Sequence, residues 1–272
     1  MKEKIKDIVK NVKGIICDMD GVIYHGNELL PGIADFIQWM EKKNINFLFL
    51  TNASNRSPRE LKEKLQRMGL EIPEENFYTS ALATARFLES QAPNSSAYVI
   101  GDPGLINALY ESGITMNDVN PEYVVVGDTA NYNYDNIFKA VQFVNAGAKL
   151  IGTCPDTTGP IEGGLMAPSG KALVAPIEIA TGKKAYFVGK PNPLMVRTGL
   201  RMLDVHSEEA LFIGDRMDTD IISGIESGMH TLLVLSGVTG LQDIKMFPYR
   251  PDIVAEGIGE LMEIVAQIDK EA

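Results

Sequence analysis

Histidine, cysteine and tryptophan are scarce, at three, two and one among 272 residues. Two cysteines, Cys17 and Cys154, neither build a zinc site by themselves nor frame a disulfide scaffold, so a reducing cytoplasm is the simplest setting. His25, His206 and His230 stand far apart and match no ligand spacing. The first residues, Met1-Lys2-Glu3-Lys4-Ile5-Lys6-Asp7, lack the apolar stretch of a signal peptide. No apolar run approaches the roughly 20 residues that span a bilayer, so no membrane role is expected. Basic residues are outnumbered, 25 against 36 acidic, for a formal charge of -11. Nucleic-acid binding needs a basic face, and this balance argues against it. An anionic substrate would need positive charge supplied locally, by a lysine or a metal. Low-complexity tracts, repeats of fixed period, G-x-S-x-G and H-E-x-x-H are all missing. Gly170-Lys171 fails as a phosphate-binding P-loop, because Leu165 and Ala172 occupy positions that need Gly and Ser or Thr.

What is present is an average globular composition, 45% hydrophobic and 22% charged, with a length that suits one large or two moderate domains. Short apolar runs alternate with helical patterns: Gly14–Cys17, Phe47–Leu50, Tyr98–Ile100, Tyr123–Val126, Lys149–Ile151, Tyr186–Val188, Ala210–Ile213 and Thr231–Leu235. Between the first two, Ile33, Phe36, Ile37 and Met40 fall on one helix face, with Trp39 as packing. Ser57-Pro58-Arg59-Glu60 reads as a capping box opening a helix that Gly69 stops. Continuous apolar strands separated by helices predict an α/β fold with a doubly wound parallel sheet, covered on both faces. Residues 152–170 break the rhythm with Gly, Pro and Thr; a loop of that length is functional or marks a boundary.

Four segments could carry chemistry, each following an apolar strand. In Asp18-Met19-Asp20-Gly21-Val22, extended backbone would point Asp18 and Asp20 the same way from the carboxyl end of a strand, where ligands bind in open α/β sheets. Carboxylates so close raise a pKa or recruit a cation, which suits nucleophilic attack by one and proton transfer by the other. Taken alone, the pattern also fits a solvated turn. Gly214-Asp215-Arg216-Met217-Asp218-Thr219-Asp220 brings three acids within six residues, a set suited to a hard cation or else to a capped helix start. Gly101-Asp102 and Gly127-Asp128 repeat the Gly-Asp step without the acid cluster and read as structural. Thr51-Asn52 offers a hydroxyl and an amide to phosphate oxygens near a helix start, or forms a turn. Lys190, in Gly189-Lys190-Pro191, could supply fixed positive charge, or be a solvated loop lysine.

Together and in this order, these four segments resemble the haloacid dehalogenase-like (HAD) hydrolase superfamily. Within it the chain resembles the NagD-like, p-nitrophenylphosphatase-type branch, over about residues 13 to 265. Ser80-Ala81-Leu82-Ala83-Thr84-Ala85, Pro155-Asp156-Thr157-Thr158 and Gly189-Lys190-Pro191-Asn192-Pro193 extend the match. The resemblance implies a Rossmann-like core, residues 1–80 and 184–272, with an α/β cap inserted at 81–183. It implies a Mg2+-dependent phosphatase of small phosphomonoesters that works through an aspartyl-phosphate. Asp18 would be the nucleophile and Asp20 the general acid and base. Thr51, Asn52 and Lys190 would hold the phosphoryl group. Asp18, the Asp20 carbonyl and Asp215 would bind magnesium, with Asp220, and less directly Asp218, behind them. Two features depart from related chains, Cys154 where Asn is common and Arg216 where nucleotide phosphatases carry Asn. Arg216 is instead similar to phosphoglycolate and pyridoxal phosphatases, which leaves the substrate open. A homodimer is compatible with the branch. The rivals are a dehalogenase or phosphotransferase on the same fold, which Asp20 disfavours, and a non-catalytic phosphate sensor.

Overall fold

The computed structural model describes residues 2–160 and 165–271. They divide into two compact units. Of the described residues, one comprises 2–50, 62–77 and 196–271, and the other comprises 51–61, 78–160 and 165–195.

The first unit is built on a sheet in the order Ile253–Ala255, His230–Val234, Ala210–Gly214, Gly14–Cys17, Asn46–Thr51, Phe77–Thr79. The pairings from Ile253–Ala255 through Asn46–Thr51 are parallel. Every residue of Gly14–Cys17 and Ala210–Gly214 is buried, which in a period-two strand means that both faces are covered. Gly199, in the helix Pro193–Leu203, packs tightly: a Cβ there would lie 3.0 to 3.2 Å from Ile16, Leu48 and Leu50. That helix therefore lies directly on the sheet. The helix Ile33–Lys42 buries the expected Ile33, Phe36, Ile37 and Met40, and Trp39 stacks on Phe36 at 6.0 Å. The helix Pro58–Arg67 opens with the expected capping box, in which Ser57 N–H donates to Glu60 Oε2 and Glu60 N–H to Ser57 Oγ. The first of these bonds holds the Glu60 carboxyl below its usual range, and the Ser57 hydroxyl adds to the effect.

The second unit has its own five-stranded parallel sheet, in the order Tyr186–Phe187, Lys149–Gly152, Tyr123–Val126, Ser96–Ile100, Thr115–Met116. Its core joins Ile100, Val124, Val126 and Leu150 of the strands to Val144, Val174 and Ile177 of the helices Tyr134–Ala146 and Gly170–Thr181. Thr158–Pro160 and Met166–Pro168 pair antiparallel within the stretch read as a loop. Residues 161–164 of that stretch lie outside the described residues.

Phe212 is fully buried in the strand beside Gly14–Cys17. Phe212→Ala is expected to destabilise the protein by about 3–5 kcal/mol. Urea unfolding followed by the emission of Trp39, buried in the same unit, measures this; an unchanged midpoint would contradict the packing described.

Candidate active site

Two neighbouring parallel strands deliver the acidic centre. Cys17 pairs with Ile213, and the next amide, Asp18 N–H, donates to Ile213 O at 2.9 Å. Asp18 thus leaves its strand level with Gly214, one residue before Asp215. The backbone then turns. Ile23 N–H bonds to Met19 O, Gly21 adopts a φ of 82°, and Gly21 N–H bonds to Tyr24 O. Asp20, just before this turn, forms an isolated bridge with Tyr24. The Asp18 carboxylate joins Asp215 and Asp220, with one oxygen of each within 4.8 Å of the others, all three residues buried. Asp20 is half-exposed beside the His25 ring, with Nδ1 to Oδ1 4.0 Å, while His25 Nε2 lies 2.5 Å from Ser236 O.

Three carboxylates at such distances repel strongly. Two unit charges about 4.8 Å apart cost roughly 3 kcal/mol per pair at an effective dielectric of about 20. The chain answers with fixed backbone donors and with space. Asp215 Oδ2 accepts from Val238 N–H at 2.7 Å, and Thr239 N–H donates to Asp215 O. A Cβ on Gly237 would lie 2.0 Å from Asp215 Oδ2, and one on Gly21 would lie 2.8 Å from it. Asp220 is tucked under Gly214, where a Cβ would come within 2.2 Å, and its Oδ2 accepts from Arg216 N–H. Asp220 belongs to a single π-type turn, Met217–Ile221, ahead of the helix Ile222–Glu226; such turns concentrate at functional sites. Asp218 lies outside the carboxylate cluster: its side chain is 53% exposed and forms a two-pronged pair with Arg216. Oxygen-only, anionic and compact, the Asp18–Asp215–Asp220 set fits a hard divalent cation.

The loop Ser236–Thr239 escaped the sequence reading although it builds this centre. Besides the two amides on Asp215, Ser236 Oγ donates to Gly21 O and Thr239 Oγ1 accepts from Met217 N–H. Main-chain donors leave no side-chain signature; only the Ser-Gly-Val-Thr-Gly run after an apolar strand could have hinted at it.

Thr51, Asn52 and Lys190 belong to the second unit. Thr51 closes the strand Asn46–Thr51, and its Oγ1 accepts from Ala53 N–H, a bond that does not use the hydroxyl proton. Lys190 is 2% exposed. Its main chain is gripped by the Asn52 side chain, because Lys190 N–H donates to Asn52 Oδ1 at 2.7 Å and Asn52 Nδ2 donates to Lys190 O at 3.0 Å. Asn52 Nδ2 also donates to Asp156 Oδ2 at 2.8 Å. The amide has two N–H bonds and both are engaged, so its side chain has no N–H left for a phosphoryl oxygen. Gly189 permits the approach, since a Cβ there would lie 2.6 Å from Asn52 Oδ1.

Asp128 and Cys154 take structural parts in this unit. Asp128 accepts from Ser54 N–H, Ser54 Oγ and Ser169 Oγ. Cys154 is buried and lies 3.6 Å from Ser169 Oγ. Burial first, and then Asp128 and Asp156, push its thiol up, so it stays protonated.

A family model described as haloacid dehalogenase-like hydrolase matches residues 15–115, and a HAD-hydrolase-like model matches residues 187–261. Dihydroxyacetone phosphatase of Corynebacterium glutamicum is 43% identical over 248 residues, covering 91% of this chain and 90% of that protein. Ribonucleotide monophosphatase NagD of Escherichia coli is 42% identical, covering 92% and 98%, and its solved structure superposes with a TM-score of 0.86. The structure of a 4-nitrophenylphosphatase from Thermotoga maritima is 32% identical, covers 94% and 98%, and has a TM-score of 0.89.

Asp215→Asn and Gly237→Ala are each expected to weaken divalent-cation binding at least about tenfold, by removing a charged ligand or displacing it. Calorimetric titration with Mg2+ or Mn2+ measures this; isotherms identical to the wild type would remove the carboxylate cluster as a metal site.

Proposed function

From its membership of the haloacid dehalogenase-like hydrolases, in the NagD-like branch, we propose that this chain is a magnesium-dependent phosphatase of small phosphomonoesters acting through an aspartyl-phosphate. The observation that carries the proposal is the buried meeting of Asp18, Asp215 and Asp220 at the ends of two adjacent strands. The named relatives hydrolyse dihydroxyacetone phosphate, ribonucleoside monophosphates and 4-nitrophenyl phosphate, which agree in the phosphoryl group and differ in what carries it. The proposed chemistry accordingly centres on the phosphoryl group.

Magnesium would be held by the Asp18 carboxylate, the Asp20 carbonyl and Asp215, with Asp220 behind them, and supplies charge that offsets both the carboxylates and the phosphoryl oxygens. Asp18 attacks phosphorus through a carboxylate oxygen, and the bond from phosphorus to the ester oxygen breaks. Asp20 gives that oxygen its proton and then takes one from the water that attacks the aspartyl-phosphate, so phosphate leaves and both carboxylates are restored. The partial exposure of Asp20 suits a group that must exchange protons with leaving group and water. Thr51 donates its hydroxyl proton to the phosphoryl group, and Lys190 neutralises its charge. Asn52 serves by holding Lys190. Phosphoryl transfer depends mainly on positioning and charge stabilisation, for which a buried lysine and a rigid carboxylate set are suited. Residues 81–183 act as the cap that sets leaving-group preference. The reading carries a cytoplasmic setting, in keeping with two buried cysteines that form no disulfide, and the homodimer compatible with the branch. Among the described residues no helix is long and apolar enough to cross a membrane.

Asp18→Asn is expected to abolish hydrolysis of p-nitrophenyl phosphate while the circular dichroism spectrum stays unchanged. EDTA is expected to stop the wild-type enzyme and Mg2+ to restore it. Full turnover by the variant would remove Asp18 as nucleophile, and full turnover in chelator would remove the metal.

A further inference from the structure

The lysine on which phosphoryl charge neutralisation depends is a compact ammonium on four flexible methylenes, so its usefulness rests on where its main chain is held. That main chain is held from both sides by one amide. Lys190 N–H donates to Asn52 Oδ1 and Lys190 O accepts from Asn52 Nδ2. The backbone N–H of Lys190 fixes which end of the amide is oxygen, and so aims the remaining N–H of Nδ2 at Asp156 Oδ2, 2.8 Å away. Asp156 is itself fixed by its chain, because its carbonyl accepts from Lys171 N–H at the start of the helix Gly170–Thr181. The next residue, Thr157, accepts through its carbonyl from Ser169 N–H. From the other side, Ser80 Oγ donates to Asn52 O at 2.6 Å, and Gly189 N–H donates to Thr153 O at 2.7 Å. Asn52 is thus a coupler with its main chain anchored, its oxygen on Lys190 and its two N–H bonds shared between Lys190 and a carboxylate.

We propose that Asp156 is a positioning residue for phosphoryl transfer: it fixes the Asn52 amide, and through that amide the Lys190 main chain, so that the ammonium is presented in one place. The inference rests on the phosphatase reading. The bond to a carboxylate is charge-assisted and therefore among the stronger ones available to an amide. It joins residues 104 apart in sequence within the second unit. Without it, the second N–H of a largely buried amide loses its acceptor, and the amide is free to turn away from Lys190.

The test uses the intact wild-type protein, Asp156→Ala, Asp156→Asn, Lys190→Ala and the double variant Asp156→Ala/Lys190→Ala, with saturating Mg2+. Two esters with unlike leaving groups, p-nitrophenyl phosphate and adenosine monophosphate, are the substrates. Asp156→Ala is expected to lower kcat by about 10- to 100-fold, the scale set by displacing a charged group by around an ångström. The loss falls in kcat more than in KM and by the same factor for both esters. Asp156→Asn keeps an oxygen that can accept from Asn52 and is expected to recover most of the rate. In the Lys190→Ala background, Asp156→Ala is expected to cost nothing further, because its effect passes through Lys190. Asp156→Ser, too short to reach the amide, stands in if the alanine variant does not fold. Full activity in Asp156→Ala, a loss that multiplies with that of Lys190→Ala, or a loss confined to one ester would overturn the inference while leaving the phosphatase reading intact. A wild-type protein that hydrolyses neither these esters nor a wider phosphomonoester panel overturns the phosphatase reading, and the inference with it.

Discussion

Everything in this molecule answers to the repulsion among Asp18, Asp215 and Asp220. Side chains that would separate in water are held within 4.8 Å of one another and away from solvent. The parallel pairing of Gly14–Cys17 with Ala210–Gly214 forces the encounter, because the register brings both strands to an end at the same level. Glycines at 21, 214 and 237 leave the volume that the carboxylates occupy. The amides of Arg216 and Val238 each donate to one of them. Such an arrangement is costly unless positive charge arrives, which a hard divalent cation would supply.

A chain of net charge -11 repels anions at long range, so the positive charge a phosphate ester meets has to be local and fixed. Under the proposed function Lys190 meets that need; it is buried, with its main chain clasped by Asn52, which is clasped in turn by Asp156. The two units thus contribute different kinds of order. In the first, strand register aligns acids. In the second, a side-chain amide holds a backbone. In the second arrangement the Asn52 side chain is engaged with the Lys190 main chain and Asp156.

Sequence made the strands and the acids legible because both are written in side chains. Ile15, Ile16, Phe212 and Ile213 announce buried strands, and the acids that follow them break the apolar run at the strand ends. The capping box of Ser57 and Glu60 was equally readable, being local. Three things were not. The turn at Met19–Ile23 is held by backbone bonds that any residues could make. The Ser236–Thr239 loop works through amides, which every sequence possesses. The Asn52–Asp156 bond joins positions 104 apart, a pairing that only the folded chain defines. Strand composition does not show the division into two sheets, which was expected only from the family resemblance, since strands such as Tyr123–Val126 and Ala210–Gly214 are alike in composition and differ in their partners.

The central claim is that Asp18, alone among these carboxylates, takes the phosphoryl group. Quenching the enzyme with borohydride during turnover, followed by peptide mass mapping, tests it directly, since reduction converts an aspartyl-phosphate to homoserine. The account predicts homoserine at position 18 and unaltered aspartate at 20, 215 and 220. Reduction at one of those three positions instead, or none anywhere while phosphate is being released, would contradict it.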